Sequence, residues 1–249
     1  MSKVEAYRAQ LRTLDAWDEF LLRESRLPGP RANLELAYAV GWEGTEELFL
    51  RLAAIDAQEA PQNTAGEFLA VCGVLGLGYL AARGGSQHFG LLRQKAADPR
   101  WRIREAVALG LQQFGRSSME QLLALMADWS RGTLLEKRAA VATLCEPDLL
   151  QNPDAAGRIM DILDQITASI LDQDDRRADA FKVLRKALAY GWSVAVAAQP
   201  ASGKPRLARW VVCPDADVRW IMRQNLKKKR LLKMDAAWVQ VQLDALEGG

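Results

Sequence analysis

The residues of this chain best suited to a chemical step are an aspartate, a tryptophan and an arginine close together in sequence: Asp128, Trp129 and, nine positions on, Arg138. A carboxylate beside an indole and a guanidinium can orient water or stabilise a developing positive charge, which makes Asp128 the one catalytic candidate. Helix capping or simple solvation accounts for Asp128 more economically. His88 is the single histidine, and Cys72, Cys145 and Cys213 lie far apart without CxxC spacing. A zinc site or a histidine-based triad therefore has no support, and the thiols read as reduced and mostly buried. Ser202-Gly203-Lys204-Pro205 has the Gly-Lys of a phosphate loop but neither its first glycine nor its following Ser or Thr, so Gln199–Pro205 reads as a flexible loop. Nothing in the residues implies a metal or a cofactor.

The stronger signals concern binding. Residues 1–175 hold 18 Lys and Arg against 25 Asp and Glu, a net of −7, whereas residues 176–249 hold 15 against 6, a net of +9. The overall charge of +2 conceals this polarity. Its densest part is Val218–Lys233, where Arg219, Arg223, Lys227 and Arg230 share one helical stripe. A cluster of like charge repels itself unless solvent, salt or a partner offsets it, and a phosphate-bearing partner would make binding steeply salt-dependent. Eight tryptophans add a second clue, because several lie beside Arg or Lys, where an aromatic face can stack on a base. Trp42 and Trp192 fall on an apolar stripe and read as core. Trp101, Trp129 and Trp220 fall off it and are the better binding candidates.

These side chains need helices to position them. In Asp98–Gly115, Ile103, Ala106, Val107, Gly110, Leu111 and Phe114 recur at i, i+3, i+4, i+7, i+8 and i+11, one stripe of a helix. Asp98 can cap its start and Pro99 suits its first position. The same pattern appears at Leu34, Ala37, Tyr38, Gly41 and Trp42, and 35 residues later at Leu69, Cys72, Gly73, Gly76 and Leu77. A fourth copy falls within Leu134–Cys145, a fifth at Leu184, Ala187, Leu188, Gly191 and Trp192, and a sixth at Val218, Ile221, Met222, Asn225 and Leu226. The fifth copy follows the third by 81 residues, 13 more than two periods of 34, which places extra chain in Pro147–Asp175. Outer helices are expected at Glu46–Ala57, Gln87–Ala97 and Ser117–Trp129, with a longer one from about Asp154 to Leu171. The slot after the first apolar position of each inner helix holds Glu35, Ala70, Arg104, Lys137, Arg185 and Arg219 in turn, passing from acidic to basic. Either its arginines pair with the aspartates that begin each repeat, or they line a groove for an anionic partner.

Composition agrees with helices. Hydrophobic residues make up 49% and charged residues 26%, rich in Ala and Leu and poor in alternating β-branched runs. The N-terminal stretch lacks an apolar signal region, and Phe68–Ala82 falls short of the roughly 20 residues a bilayer span needs. The expectation is an all-α, cytoplasmic monomer with no membrane contact. It forms one repeat domain over 1–249, with an N-terminal cap over 1–30, first repeats over 31–146, an insertion or longer outer helix over 147–175 and basic repeats over 176–249.

Asp98–Ala106 and Asp179–Ala187 each run aspartate, four residues, an apolar residue, an arginine and then an alanine, and Cys213–Met222 follows this loosely. With a period of about 34 to 40, this resembles HEAT repeats, and the resemblance implies a right-handed α-solenoid of about six helix pairs behind an N-terminal capping helix. It implies a scaffold that binds a protein or a nucleic acid on its concave face through Arg104, Arg138, Arg185, Arg219, Arg223, Lys227 and Arg230 with Trp101, Trp129 and Trp220. A weaker resemblance to the HEAT-like alkylpurine DNA glycosylases implies, as the alternative, DNA binding or DNA repair with Asp128 assisting base release.

Overall fold

A computed structural model describes residues 2–248 and is all-helical, with 75% of the chain in helix and no strand among the described residues. The chain divides into two compact units, Met1–Ser118 and Met119–Gly249.

The first unit holds α1 (Lys3–Leu11), α2 (Asp18–Glu24), α3 (Leu34–Glu43), α4 (Glu46–Ala54), α5 (Ala65–Ala82), α6 (Phe89–Lys95) and α7 (Trp101–Ser117). Short polar side chains start several of them: Asn33, Thr45 and Thr64 each accept the backbone N–H three residues on, filling donors that a helix start leaves unpaired. The expected capping helix is two helices, α1 and α2, with the turn between them closed by the Trp17 indole donating to the Leu11 carbonyl at 3.0 Å. At the centre lies α5, packed on α3, α4 and α7, with 14 of its 18 residues buried. A helix apolar all round must be covered on every side. By length and composition α5 could cross a membrane, and 78% of it is buried within its own unit.

The stripe of α7 packs as its spacing demands: Ile103, Ala106, Val107, Leu111 and Phe114 are all buried, against α5. Gly110 meets Gly78 of α5, and a Cβ added to Gly78 would stand 2.3 Å from the Gly110 Cα. The two helices thus touch backbone to backbone, which only glycine allows. The start of α7 differs by two residues from expectation. The helix begins at Trp101, and Asp98 turns back on Arg100, accepting its backbone N–H at 2.8 Å and its guanidinium at 2.8 and 3.0 Å. Arg100, 1% exposed, then donates to the carbonyls of Ile55, Asp56 and Ala60 at 3.0, 2.9 and 3.1 Å, fastening the α4–α5 turn to the base of α7.

The second unit holds α8 (Met119–Trp129), α9 (Leu134–Leu144), α10 (Pro153–Ala168), α11 (Asp179–Ala198), α12 (Pro200–Val211), α13 (Ala216–Leu226) and α14 (Lys229–Gly248). Here α11 is central, packed on α9 and α13 and also on α10 and α12. In the glycine slot of the repeat, α13 carries Asn225, fully buried. Its Nδ2 donates to the Leu188 and Ile221 carbonyls at 2.9 and 2.8 Å and its Oδ1 accepts the Ser193 N–H at 2.8 Å, pinning α13 to α11. The extra chain is α10, 16 residues long, capped by Asn152 and led by Pro153.

Gln199–Pro205 is a correction: the segment is helical and opens α12 rather than forming a flexible loop. Pro200 suits the first helical position, and Gly203 is buried so closely on α11 that a Cβ would lie 2.7 Å from the Val196 Cα. Lys204, placed in sequence like a phosphate-binding lysine, instead pairs with Asp235 at 2.5 Å. Asp235 interrupts α14 with an extended backbone (φ −164°, ψ 91°) and caps its second part by accepting the Trp238 N–H.

Candidate functional site

The basic slot of the inner helices resolves into arginines that hold the fold and cations that remain open. Arg185 on α11 lies 3.0 Å from Asp217 and 3.9 Å above the Trp220 ring, so two candidate binding residues, Arg185 and Trp220, are engaged with each other between α11 and α13. Asp215 and Asp217 are held from the other side by Arg176, at 2.7 and 2.9 Å. Burial pushes the Asp215 carboxyl up, but hydrogen bonds from the Val218 N–H and from Arg176 outweigh it and leave the pKa lowered. Arg219 donates to the Leu246 carbonyl of α14. In the first unit, Arg104 donates to the carbonyls of Asp98 and Pro99 at 2.6 and 2.9 Å, closing the turn that starts its own helix. Arg138 lies half-buried on α9. The pairing of slot arginines with repeat aspartates thus holds for Arg185 with Asp217.

The remaining cations are different. The side chains of Arg223, half-buried on α13, and of Lys227, its C-cap one turn on, make no ion pair or hydrogen bond among the described residues, nor does that of the exposed Lys186 on α11. One turn beyond Lys186 stands Tyr190, 48% exposed. Arg230 donates to its hydroxyl and lies 4.5 Å above its ring, and the Lys228 ammonium lies 5.6 Å from the ring centre. An aromatic side chain held open between two cations, with three unpaired cations on the same pair of helices, is the arrangement in this unit best able to grip an anionic chain.

Tyr190 and Lys186 lie outside the residues to which the sequence points. Their signal was present in the polar stripe Lys182, Lys186 and Tyr190 on the side of α11 away from Leu184 and Leu188, but it is only apparent once the α13–α14 junction is seen to reach Tyr190.

Trp129, a binding candidate from sequence, is 1% exposed and belongs to the core of the second unit, so it offers no face to a partner. Its neighbour Asp128 points the other way, with half its side chain exposed and Arg131 at 4.0 Å. Neighbouring helix positions diverge by about 100°, so a buried indole and an exposed carboxylate form no common cup. Of the two stripe tryptophans expected in the core, Trp192 is fully buried with its indole N–H on the Thr167 hydroxyl at 2.9 Å, whereas Trp42 is 42% exposed, between Tyr79 and the guanidinium groups of Arg8 and Arg83. Trp101 is 43% exposed and forms one wall of a cleft in the first unit.

No family model, curated protein or solved structure matches the chain. The site must therefore be argued from its own residues. Among those described, no three His, Cys, Asp or Glu side chains group as a metal site. His88 contacts Glu46 at 2.8 Å, and Cys72 and Cys145 are buried, with desolvation pushing both thiols up, Cys145 to about 12.

Proposed function

We propose that the chain is a HEAT-like repeat-binding protein, without a reaction of its own, that holds an anionic macromolecule on the basic face of α11, α13 and the start of α14. A nucleic-acid backbone is the partner whose chemistry fits best. The side-by-side packing of α3, α5 and α7 in one unit, and of α9, α11 and α13 in the other, supports the repeat reading, each helix meeting its neighbours in the chain's own periodic order. The observation that carries the binding reading is the exposed Tyr190 with Arg230 and Lys228 at its ring, on a unit in which the side chains of Lys186, Arg223 and Lys227 have no partner among the described residues. Ion-paired arginines such as Arg185 have already lost their hydration and gained a carboxylate, whereas unpaired cations on neighbouring helices repel one another until an anion arrives. Because Trp129 is buried, it offers Asp128 no aromatic wall, and base excision forms no part of the reading.

The test is binding to a fluorescent DNA duplex across a salt series. Each phosphate neutralised contributes about −0.9 to the slope of log K against log salt, so three open cations and Arg230 give a slope of about −3 to −4. The double variant Arg223→Ala, Lys227→Ala should flatten that slope by about 2. Absence of measurable binding at low salt, or an unchanged slope in the double variant, rejects the reading.

A further inference from the structure

We infer that the basic face of the second unit takes a single-stranded nucleic acid, one of whose unpaired bases stacks on the open part of the Tyr190 ring. The inference rests on the reading of that face as an anion-binding surface and adds what the anion must carry. Tyr190 lies in α11 between Ala189 and Gly191, which are buried, yet it keeps 48% of its surface exposed. The other aromatic residues of α11, Phe181 and Trp192, are fully buried, so Tyr190 stands apart from the core they fill. Its position is nevertheless fixed. The hydroxyl accepts a hydrogen bond from Arg230, whose guanidinium carbon lies 4.5 Å from the ring centre, and the Lys228 ammonium lies 5.6 Å from it. A ring held in place before its ligand arrives loses little freedom on binding.

An aromatic surface joined to charge discriminates among anions. Carboxylates of an acidic protein segment could meet Lys228 and Arg230 but would leave the ring without a partner. A nucleic-acid strand offers both groups in alternation, a phosphate for the cations and a flat base beside it for the ring. In a duplex the bases stack on one another and reach an aromatic side chain only after unpairing, which costs free energy. A single strand presents them without that cost. Charge alone orders the two the other way, because a duplex carries one phosphate per about 1.7 Å of axis and releases more counterions per phosphate neutralised. Tighter binding of the single strand is therefore a signature of the base rather than of the charge.

Fluorescence anisotropy of the full chain with three labelled probes at one low salt concentration tests the inference. The probes are a thymidine strand of about 12 nucleotides, within the range such surfaces cover, a strand of the same length built from abasic tetrahydrofuran units, and a duplex of that length. The thymidine strand should bind about fivefold or more tightly than the abasic strand, which carries the same phosphates, and more tightly than the duplex. Tyr190→Leu should abolish the preference for thymidine over abasic units while leaving the salt slope of both strands unchanged, because no charge is removed. Tyr190→Phe, which keeps the ring, should retain the preference. Equal binding of the thymidine and abasic strands, tighter binding of the duplex, or a preference that survives Tyr190→Leu would each overturn the inference and leave the charge reading standing. Displacement of the thymidine strand by polyglutamate as readily as by unlabelled thymidine strand would overturn it in favour of an acidic protein segment. Failure of all three probes to bind would overturn both readings.

Discussion

Replacing Gly78 with alanine adds one methyl group where α5 and α7 meet backbone to backbone, and its effect can be worked out in sign and size. In isolation the change favours folding, because alanine is about 1 kcal/mol better than glycine inside a helix. Against that, the new Cβ would stand 2.3 Å from the Gly110 Cα and carbonyl carbon and 2.5 Å from its oxygen. Carbon atoms in contact settle at about 3.5–4.0 Å, so α5 and α7 must part by roughly 1.2 Å or more. Neither side can yield by rotating a side chain, since both are backbone, and overpacking of this kind costs about 1–3 kcal/mol or more. Parting the helices also loosens the contacts of Ile103, Val107 and Leu111, so the net expectation is a loss of about 2 kcal/mol. Gly157→Ala in α10 is the matched control: nothing lies within 4 Å of its added Cβ, and it should stabilise by about 0.5–1 kcal/mol. Urea unfolding of both variants, fitted for midpoint and slope, reads the two changes. If Gly78→Ala is as stable as the parent chain, the backbone contact between α5 and α7 is not what the close approach of these glycines implies.

Arg185 and Arg223 should separate stability from binding: Arg185→Ala lowers the unfolding midpoint because it releases Asp217 and uncovers Trp220, while Arg223→Ala leaves the midpoint within about 0.5 kcal/mol of the parent and weakens duplex binding. Asp98 gives an acid limb. Burial raises its pKa, hydrogen bonds and charge from Arg100 outweigh this, and the folded value is lowered. The stability it contributes is therefore complete above the unfolded carboxyl pKa of about 3.9 and disappears as pH falls through the lower folded value. Asp98→Asn should thus be destabilised at pH 7 and lose less than the parent on acidification below about pH 4, read by urea unfolding at a series of pH values. For the thiols, a disulfide-exchange reagent at pH 8 should label Cys213 in the native chain and reach Cys72 and Cys145 only after unfolding, since both are buried and their thiolates strongly disfavoured. Rapid reaction of all three in the native state would contradict the burial.

What the sequence made legible was the apolar stripe of α7, because that stripe depends on local spacing alone, whereas in α3 the stripe positions Leu34 and Trp42 are exposed. All the apolar positions picked out in α7 are buried, and the glycine slot is a place of close approach at Gly41, Gly76, Gly110 and Gly191. Gly78 escaped notice because it lies off the stripe and matters only through where α7 crosses α5. The α12 start was misread because Pro and Gly usually punctuate a chain, whereas here Pro200 initiates a helix and Gly203 admits the α11 backbone. Charged residues were the least legible. The difference between Arg185, tied to Asp217, and Arg223, whose side chain has no partner among the described residues, is set by neighbours 30 or more residues away or by their absence, and the two occupy similar polar positions on their helices. Trp129 and Trp42 exchanged expected roles for a related reason: an indole's burial depends on how closely the next helix comes, and that distance is not written in the stripe it belongs to.

Arg100 reads its neighbouring turn through carbonyl oxygens, and every residue has one of those. The side chains of Ala57, Gln58 and Glu59 are therefore released from that duty, whereas Asp56 holds the turn in shape by accepting the Gln58 and Glu59 N–H groups at 2.8 and 2.9 Å. A junction built this way tolerates sequence drift at positions 57–59 while keeping its spacing, so substitutions there can change the charge or the outer surface of the turn without disturbing the register of the helices on either side.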